Sequence, residues 1–206
     1  MKQKFLLLML LLLSCWGGAR ADELTVYDGT STNGYVPVYG SCANYYQKCE
    51  FVIPADELSD MKGGTLSAMT FYLYSRASSA WTGTFQVFLK EVSETTISAY
   101  SGTDGATIVY EGTLDATKTT MKIIFSSNYT YEGGNLLVGV YETVKGNYYS
   151  ASFYGTTVSG ACVGGITVPA WTMCCPSTSG TSSPRRLSRM REGASTSAPF
   201  PLRRAG

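Results

Sequence analysis

The feature that most constrains the fold is an alternation of apolar and more polar residues with a period of two, which recurs along residues 24–154. The stretch MTFYLY at residues 69–74 is typical: Met, Phe and Leu alternate with Thr, Tyr and Tyr. Successive side chains of a β-strand point to opposite faces, so each such stretch predicts a half-buried strand. The stretch NLLVGVYETV at residues 135–144 is more continuously apolar, which predicts a strand covered on both faces.

Turn residues separate these stretches and supply the positive φ angles that tight turns need. They are Asp28-Gly29, Asn33-Gly34, Gly63-Gly64, Asp104-Gly105 and Gly133-Gly134. The pattern predicts an all-β fold, an antiparallel and jelly-roll-like β-sandwich of about nine strands. In IPADELSDMKGG, a proline is followed by two acidic residues and, later, by glycines. This order predicts one short helix near residues 54–61.

The first 21 residues have the pattern of a secretory signal peptide. Lys2 and Lys4 precede nine apolar residues, and Ala-Arg-Ala at 19–21 fits a cleavage site. Nine apolar residues are too few to cross a bilayer, which takes about 20. We therefore expect an exported chain with no transmembrane span, extracellular or on the outer cell surface. An alternative is a lipid anchor on Cys15, because the preceding residues loosely resemble a bacterial lipobox.

Charge divides the remaining chain into two unlike parts. Residues 22–170 hold seven basic and fourteen acidic residues, whereas the segment after them holds six arginines and one glutamate. An acidic domain argues against nucleic acid as a partner. We predict one sandwich module over 22–165 and a disordered basic tail over 166–206.

Cysteine and histidine usage bears on disulfides and metals. The module contains Cys42, Cys49 and Cys162, which allow at most one disulfide in an exported chain. A Cys42–Cys49 bond closing a short loop and a buried, unbonded Cys49 on a strand both remain open. Because the chain has no histidine and the module has no second cysteine pair at ligand spacing, we expect no zinc site and no cofactor.

The residues offer little for catalysis. No histidine can act as a general base, and the motif G-x-S-x-G is absent. Two carboxylates can hydrolyse a glycoside, so a glycosidase stays an alternative. Asp104-Gly105 is interpreted either as a calcium-binding turn or as a plain turn. The candidate carboxylates lie on or beside strands: Glu50, Glu111, Glu132 and Glu142.

Tyrosine is used heavily, at 15 of 206 residues. Aromatic rings near turns offer flat apolar area with a polar tip, which suits sugars and protein partners. The alternative is that they pack over the strand ends as ordinary sandwich residues. The candidate ligand-binding residues are Tyr45, Tyr46, Trp81, Tyr129, Tyr131, Tyr148 and Tyr149.

Several stretches, among them LTVYDGTSTNGYVPVYG, CEFVIPADELSDMKGGTLSAMTFYL and YTYEGGNLLVGVYETVKGNYYSASFYG, carry a resemblance to a known family. Over about residues 24–160 the chain resembles the N-terminal β-sandwich module of secreted and surface multidomain proteins of the Bacteroidota, which fibronectin-type-III-like domains often follow. The resemblance implies a sandwich fold and export, and no established activity or site. We expect a non-catalytic module for adhesion or for recognition of a glycan or a host or surface protein; a structural spacer without a ligand is the alternative.

The resemblance ends at about residues 161–170. Copies of the module continue with a stretch like SLDNVLSVNQRNFIPKTTFTY, whereas this chain continues with AWTMCCPSTSGTSSPRRLSRM. Codons for the second sequence can be chosen so that a one-base shift reads the first. The hypothesis is that the tail is an out-of-frame translation of a truncated gene, which sequencing the coding DNA past its stop codon tests. The alternative is a genuine basic arm that binds acidic partners.

Overall fold

The computed structural model describes residues 23–38, 46–166 and 200–205 of the chain. These segments contain a short 3₁₀ helix, Ala55–Met61, and eleven strands. The strands are β1 (Glu23–Val26), β2 (Ser31–Asn33), β3 (Gln47–Ile53), β4 (Thr65–Ser75), β5 (Thr84–Val92), β6 (Thr107–Gly112), β7 (Thr120–Thr130), β8 (Asn135–Val144), β9 (Ser152–Gly155), β10 (Cys162–Ile166) and β11 (Phe200–Ala205).

The strands form two sheets. The five-stranded sheet has the order β10-β3-β8-β5-β6. The six-stranded sheet has the order β1-β11-β4-β9-β2, with β7 paired to the other edge of β4. All these pairs are antiparallel, and the two sheets enclose a common core. The predicted all-β antiparallel sandwich is therefore confirmed.

The stretch YVPVYG, with valines two residues apart, also predicts a strand, and this prediction was wrong. Its described residues, 35–38, form bends. The side-chain oxygen Oδ1 of Asn33 accepts hydrogen bonds from the backbone N–H groups of Tyr35 at 3.0 Å and Val36 at 2.7 Å. An Asn side chain that binds its own following backbone competes with a sheet ladder, and Pro37 has no N–H to donate. Three short strands, β2, β10 and β11, were not predicted.

The main core lies between the sheets and is built from the apolar half of each alternating strand. Phe71 of β4 contacts Phe51 of β3, in the other sheet, edge-to-face at 6.4 Å between ring centroids, and Phe153 of β9, in its own sheet, at 6.2 Å. All three rings are buried. Burial of one such side chain contributes about 1.5–3 kcal/mol, so these rings stabilise the sandwich.

The five-stranded sheet is also covered on its outer side. Val52, Phe88 and Leu137 form a small second cluster there, against which Ile97 and Ala106 pack. The covering segment is the connection between β5 and β6, residues 93–106. Strand β8 is therefore buried on both faces, as its continuous apolar sequence predicted.

The predicted helix is present as the 3₁₀ helix. Asp56 and Glu57 lie in its first turn, and Leu58 and Met61 are its buried residues. Just beyond it, the backbone N–H of Gly63 donates to the carbonyl of Tyr131 at 2.8 Å. The helix thus closes the end of the sandwich at which β7 ends.

The C-terminal strand β11 lies between β1 and β4 and pairs with both. Seven residues of the segment 166–206, which we expected to be a disordered tail, therefore belong to sheets: Ile166 in β10 and the six residues of β11. The signal peptide, Cys15 and residues 167–199 lie outside the described residues, and the frame-shift hypothesis stays a prediction.

Cys49 lies on β3, is fully buried and forms no disulfide within the described residues, in agreement with its interpretation as a buried, unbonded strand residue. Its partner in the other interpretation, Cys42, lies outside the described residues. Burial raises the pKa of the Cys49 thiol well above its ordinary value, and the nearby Cys162 adds to the effect. Cys49 is therefore an apolar core group rather than a reactive thiolate.

Candidate functional site

Four of the seven aromatic candidates meet at one end of the sandwich, where β3 begins and β8 ends. Trp81 stacks on Tyr148 with ring centroids 4.7 Å apart, and its indole N–H donates to the carbonyl of Tyr149 at 2.7 Å. Trp81 is only 2% exposed, whereas Tyr46 is 40% exposed and carries the Lys145 ammonium 5.0 Å from its ring centroid. This end is mainly a packed aromatic cluster with one open ring, that of Tyr46.

Two further candidates lie at the opposite end. Tyr131 is fully buried, and its hydroxyl donates to the carbonyl of Gly134 at 2.7 Å. Tyr129 is half-buried, and burial raises its pKa to about 12. The remaining candidate, Tyr45, lies outside the described residues. The buried rings of Trp81 and Tyr131 offer no face to a ligand, so the alternative of packing over strand ends holds for these two.

The buried carboxylate of Glu50 binds the connection between β5 and β6, residues 93–106, which covers the five-stranded sheet. It accepts hydrogen bonds from the backbone N–H groups of Ser101 at 2.7 Å and Gly102 at 2.9 Å, and a short one from the Tyr141 hydroxyl. Burial and the Glu50 carboxylate raise the pKa of the Tyr141 phenol far above its ordinary value. The Lys48 ammonium lies 4.7 Å from the centroid of the Tyr141 ring. Two of these hydrogen bonds join Glu50 to the connection, and the third joins it to β8.

The side chain of the second buried carboxylate, Glu142, lies on the opposite face of the five-stranded sheet from that of Glu50. It follows Tyr141 on β8, and successive residues of a strand face opposite sides. Its carboxylate accepts hydrogen bonds from the backbone N–H groups of Gln47 at 3.2 Å and Gly146 at 3.3 Å. Burial raises its pKa. Glu50 and Glu142 therefore lie on opposite faces of one sheet and do not form the pair that glycoside hydrolysis needs.

The other two candidate carboxylates, Glu111 and Glu132, are exposed. Glu111 lies on β6, at the edge of the five-stranded sheet, whereas Glu132 lies in the turn between β7 and β8.

The Asp104-Gly105 turn is occupied by a protein cation. The Lys90 ammonium donates to three carbonyl oxygens of this connection, those of Ser101 at 3.3 Å, Gly102 at 2.8 Å and Asp104 at 3.2 Å. These are the kind of oxygens a calcium ion would use. Among the residues that the structure describes, no group of three or more Cys, Asp or Glu side chains could hold a metal ion. The plain-turn interpretation of Asp104-Gly105 fits this geometry.

An aromatic surface that the sequence analysis did not select lies on the outer side of the six-stranded sheet. Tyr72 and Tyr74 of β4 are 37% and 62% exposed, and Tyr154 of the neighbouring β9 is half-buried. The rings of Tyr74 and Tyr154 meet edge-to-face, with centroids 5.6 Å apart. We call Tyr72, Tyr74 and Tyr154 the tyrosine patch.

Hydroxyl groups surround the tyrosine patch. Thr32 of β2 pairs with Tyr154, and Thr120 of β7 pairs with Tyr72. Ile124, further along β7, is the most exposed large aliphatic side chain in the described part of the chain, at 66%. The patch is therefore a flat face of rings and hydroxyls, open to solvent.

The signal for this patch was in the sequence. In MTFYLY the apolar residues mark the core face, so the tyrosines between them occupy the solvent face, where threonine or a charged residue is more usual. The predicted ligand-binding residues were aromatics near turns, so these outward-facing strand tyrosines were missed.

Comparison of the chain with protein-family models, with curated protein sequences and with solved structures gives no match. Within the described segments, no helix is both long and apolar enough to cross a bilayer.

Proposed function

We propose that the chain is an exported, non-catalytic module that recognises glycans through the tyrosine patch. The observation that carries the proposal is the exposure of Tyr72 and Tyr74 on a sheet whose intervening residues form the core. A tyrosine ring held on a rigid strand loses little entropy when a ligand packs on it. Such rings are suited to the apolar face of a sugar, and their hydroxyls to its polar edge.

The surroundings favour a sugar over a protein as the ligand. Protein interfaces have a fully buried apolar centre, and many side chains contribute to it. Around the tyrosine patch, Ile124 is the single strongly exposed aliphatic side chain in the described residues, whereas Thr32, Thr70 and Thr120 present hydroxyls. Hydroxyls beside rings match the mixed polar and apolar surface of a glycan.

The place of action is the extracellular space or the outer cell surface, in adhesion or glycan capture. This part of the proposal is supported by the signal-peptide pattern of residues 1–21 and by the resemblance to surface modules. The separation of Glu50 and Glu142 on opposite faces supports a binding role rather than glycoside hydrolysis.

The test compares two exposed tyrosines on different surfaces. The full chain is screened against a panel of immobilised polysaccharides, and then Tyr74→Ala and Tyr46→Ala are measured on the glycans that are retained. Loss of one stacked ring costs about 0.5–1.5 kcal/mol, which corresponds to affinity lowered roughly 2- to 12-fold. We expect this loss for Tyr74→Ala and unchanged affinity for Tyr46→Ala.

The reverse result, with Tyr46→Ala weakening and Tyr74→Ala neutral, would move the site to the aromatic end cluster. Retention of no glycan on the panel would refute glycan recognition and favour the spacer role. Both substitutions lie at exposed rings, so unchanged thermal unfolding of each variant separates loss of binding from loss of fold.

A further inference from the structure

Basic side chains flank the tyrosine patch on the β7 side. Lys122 of β7 pairs with Thr70, two residues before Tyr72 on β4. The contact with β4 extends to the residue before β7 begins, since the N–H of Leu73 donates to the carbonyl of Thr119 at 2.9 Å. Lys118 precedes Thr119 in the chain and therefore lies near the end of β4 that carries Tyr72 and Tyr74. The two lysines thus lie on either side of the Tyr72–Thr120 pair.

A third cation, Arg76, lies close to the patch in the sequence. Arg76 follows Tyr74 by two residues, just beyond the end of β4, and is exposed. The side chain of Lys118 is 77% exposed. Long exposed side chains of this kind can reach over a ligand lying on the rings.

Within the described residues, one of these cations forms an ion pair. Asp115 lies 3.6 Å from the Lys118 ammonium and is also held by the Thr117 hydroxyl and N–H. The wider chain has the opposite balance, with seven basic and fourteen acidic residues over 22–170. Two of those seven cations, Lys118 and Lys122, therefore lie on the β7 side of the tyrosine patch, and Arg76 follows the patch closely in the chain.

From this segregation of charge we infer that the tyrosine patch binds a polysaccharide that carries negative charges, as carboxylates or as sulfates. The inference rests on the proposed function and specifies the class of its ligand. The rings stack on the sugars, and the lysines and the arginine attract the negative charges of the polymer. An acidic domain without such a surface would repel the same polymer.

The experiment uses matched polymers that differ in charge alone. The full chain is measured on polygalacturonate and on its fully methyl-esterified form, and on dextran sulfate and on dextran. The first pair tests carboxylates and the second tests sulfates. We expect retention of at least one anionic polymer over its neutral counterpart, and affinity that falls as salt rises because exposed charges are screened.

The variants are Lys118→Gln and Lys122→Gln, with Lys62→Gln as the matched control. Lys62 is an exposed lysine next to the 3₁₀ helix, before β4 begins and away from the patch. An exposed ion pair contributes about 0.2–1 kcal/mol, so each patch variant should weaken binding of the anionic polymer by up to about 5-fold. Lys62→Gln should bind like the unmodified chain.

The outcomes separate this inference from the proposed function. Equal binding of charged and neutral polymers, weakened by Tyr74→Ala and unaffected by the lysine variants, would refute the anionic ligand and keep glycan recognition. Retention of none of the four polymers would also overturn the anionic-ligand inference, while the wider polysaccharide panel then decides the proposed function. A Lys62→Gln effect equal to that of Lys122→Gln would reduce the charge effect to the domain's overall charge and likewise count against the inference.

Discussion

We predict that the hydrogen bond between Tyr141 and the buried Glu50 contributes substantially to the free energy of unfolding. Glu50 is 0% exposed, and its carboxylate accepts from Ser101, Gly102 and Tyr141. Tyr141→Phe removes the hydroxyl alone, because the ring stays in its edge-to-face contact with Phe88, at 5.0 Å between centroids. The substitution leaves a buried carboxylate with one donor fewer.

The expected loss follows from the charge of the acceptor. A hydrogen bond to a charged group contributes about 1.5–3 kcal/mol, against about 0.5–1.5 kcal/mol for a neutral pair. The upper value is favoured because water does not reach Glu50 to replace the lost donor. Such a loss is a sizeable part of a total stability of about 5–15 kcal/mol.

Equilibrium unfolding in guanidinium, followed by circular dichroism, measures the loss as a shift of the midpoint at constant slope. Tyr110→Phe is the matched control, since the Tyr110 hydroxyl donates to the neutral carbonyl of Thr113 at 2.6 Å near the surface. A double-mutant cycle with Glu50→Gln isolates the pair. The prediction would be refuted if Tyr141→Phe lowered the free energy of unfolding no more than Tyr110→Phe does. A coupling energy of zero between Tyr141 and Glu50 would refute it as well.

Two further predictions concern packing and pH. Gly139→Ala should destabilise the fold by about 1–3 kcal/mol, because an added Cβ would overlap the buried Phe88 ring; Phe88→Leu in the same chain should recover part of the loss, and equal losses in both backgrounds would contradict the clash. Burial raises the pKa of Tyr27 and of Tyr129 from 10.0 to about 12. As pH rises, these two tyrosines therefore lose their protons in the unfolded chain before they do so in the folded protein. The free energy of unfolding should be constant just below pH 10 and decline towards pH 12. If the Tyr27→Phe, Tyr129→Phe double variant shows a decline of the same size, other groups cause it.

The fold class was readable from the sequence because alternation is a local property. Each of MTFYLY, FQVFLK and MKIIFS marks a core face and a solvent face without reference to any other strand. The continuous apolar run of β8 likewise indicated cover on both faces, and Leu137 and Val138 do face opposite clusters. The stretch YVPVYG failed as a strand because the Asn33 side chain binds the backbone that a neighbouring strand would have used.

The candidate site could be predicted only in part from the sequence, because local alternation does not show which distant residues come together. The sequence alone determined which residues are aromatic, which strand positions face outward and that residues 22–170 are acidic. Only the tertiary structure decided that Trp81 is buried, that Glu50 and Glu142 lie on opposite faces, and that Tyr74 meets Tyr154 from 80 residues away. Which strands become neighbours, and which face a connection covers, depends on contacts between distant segments. A period of two specifies the sides of a strand but not what lies next to it.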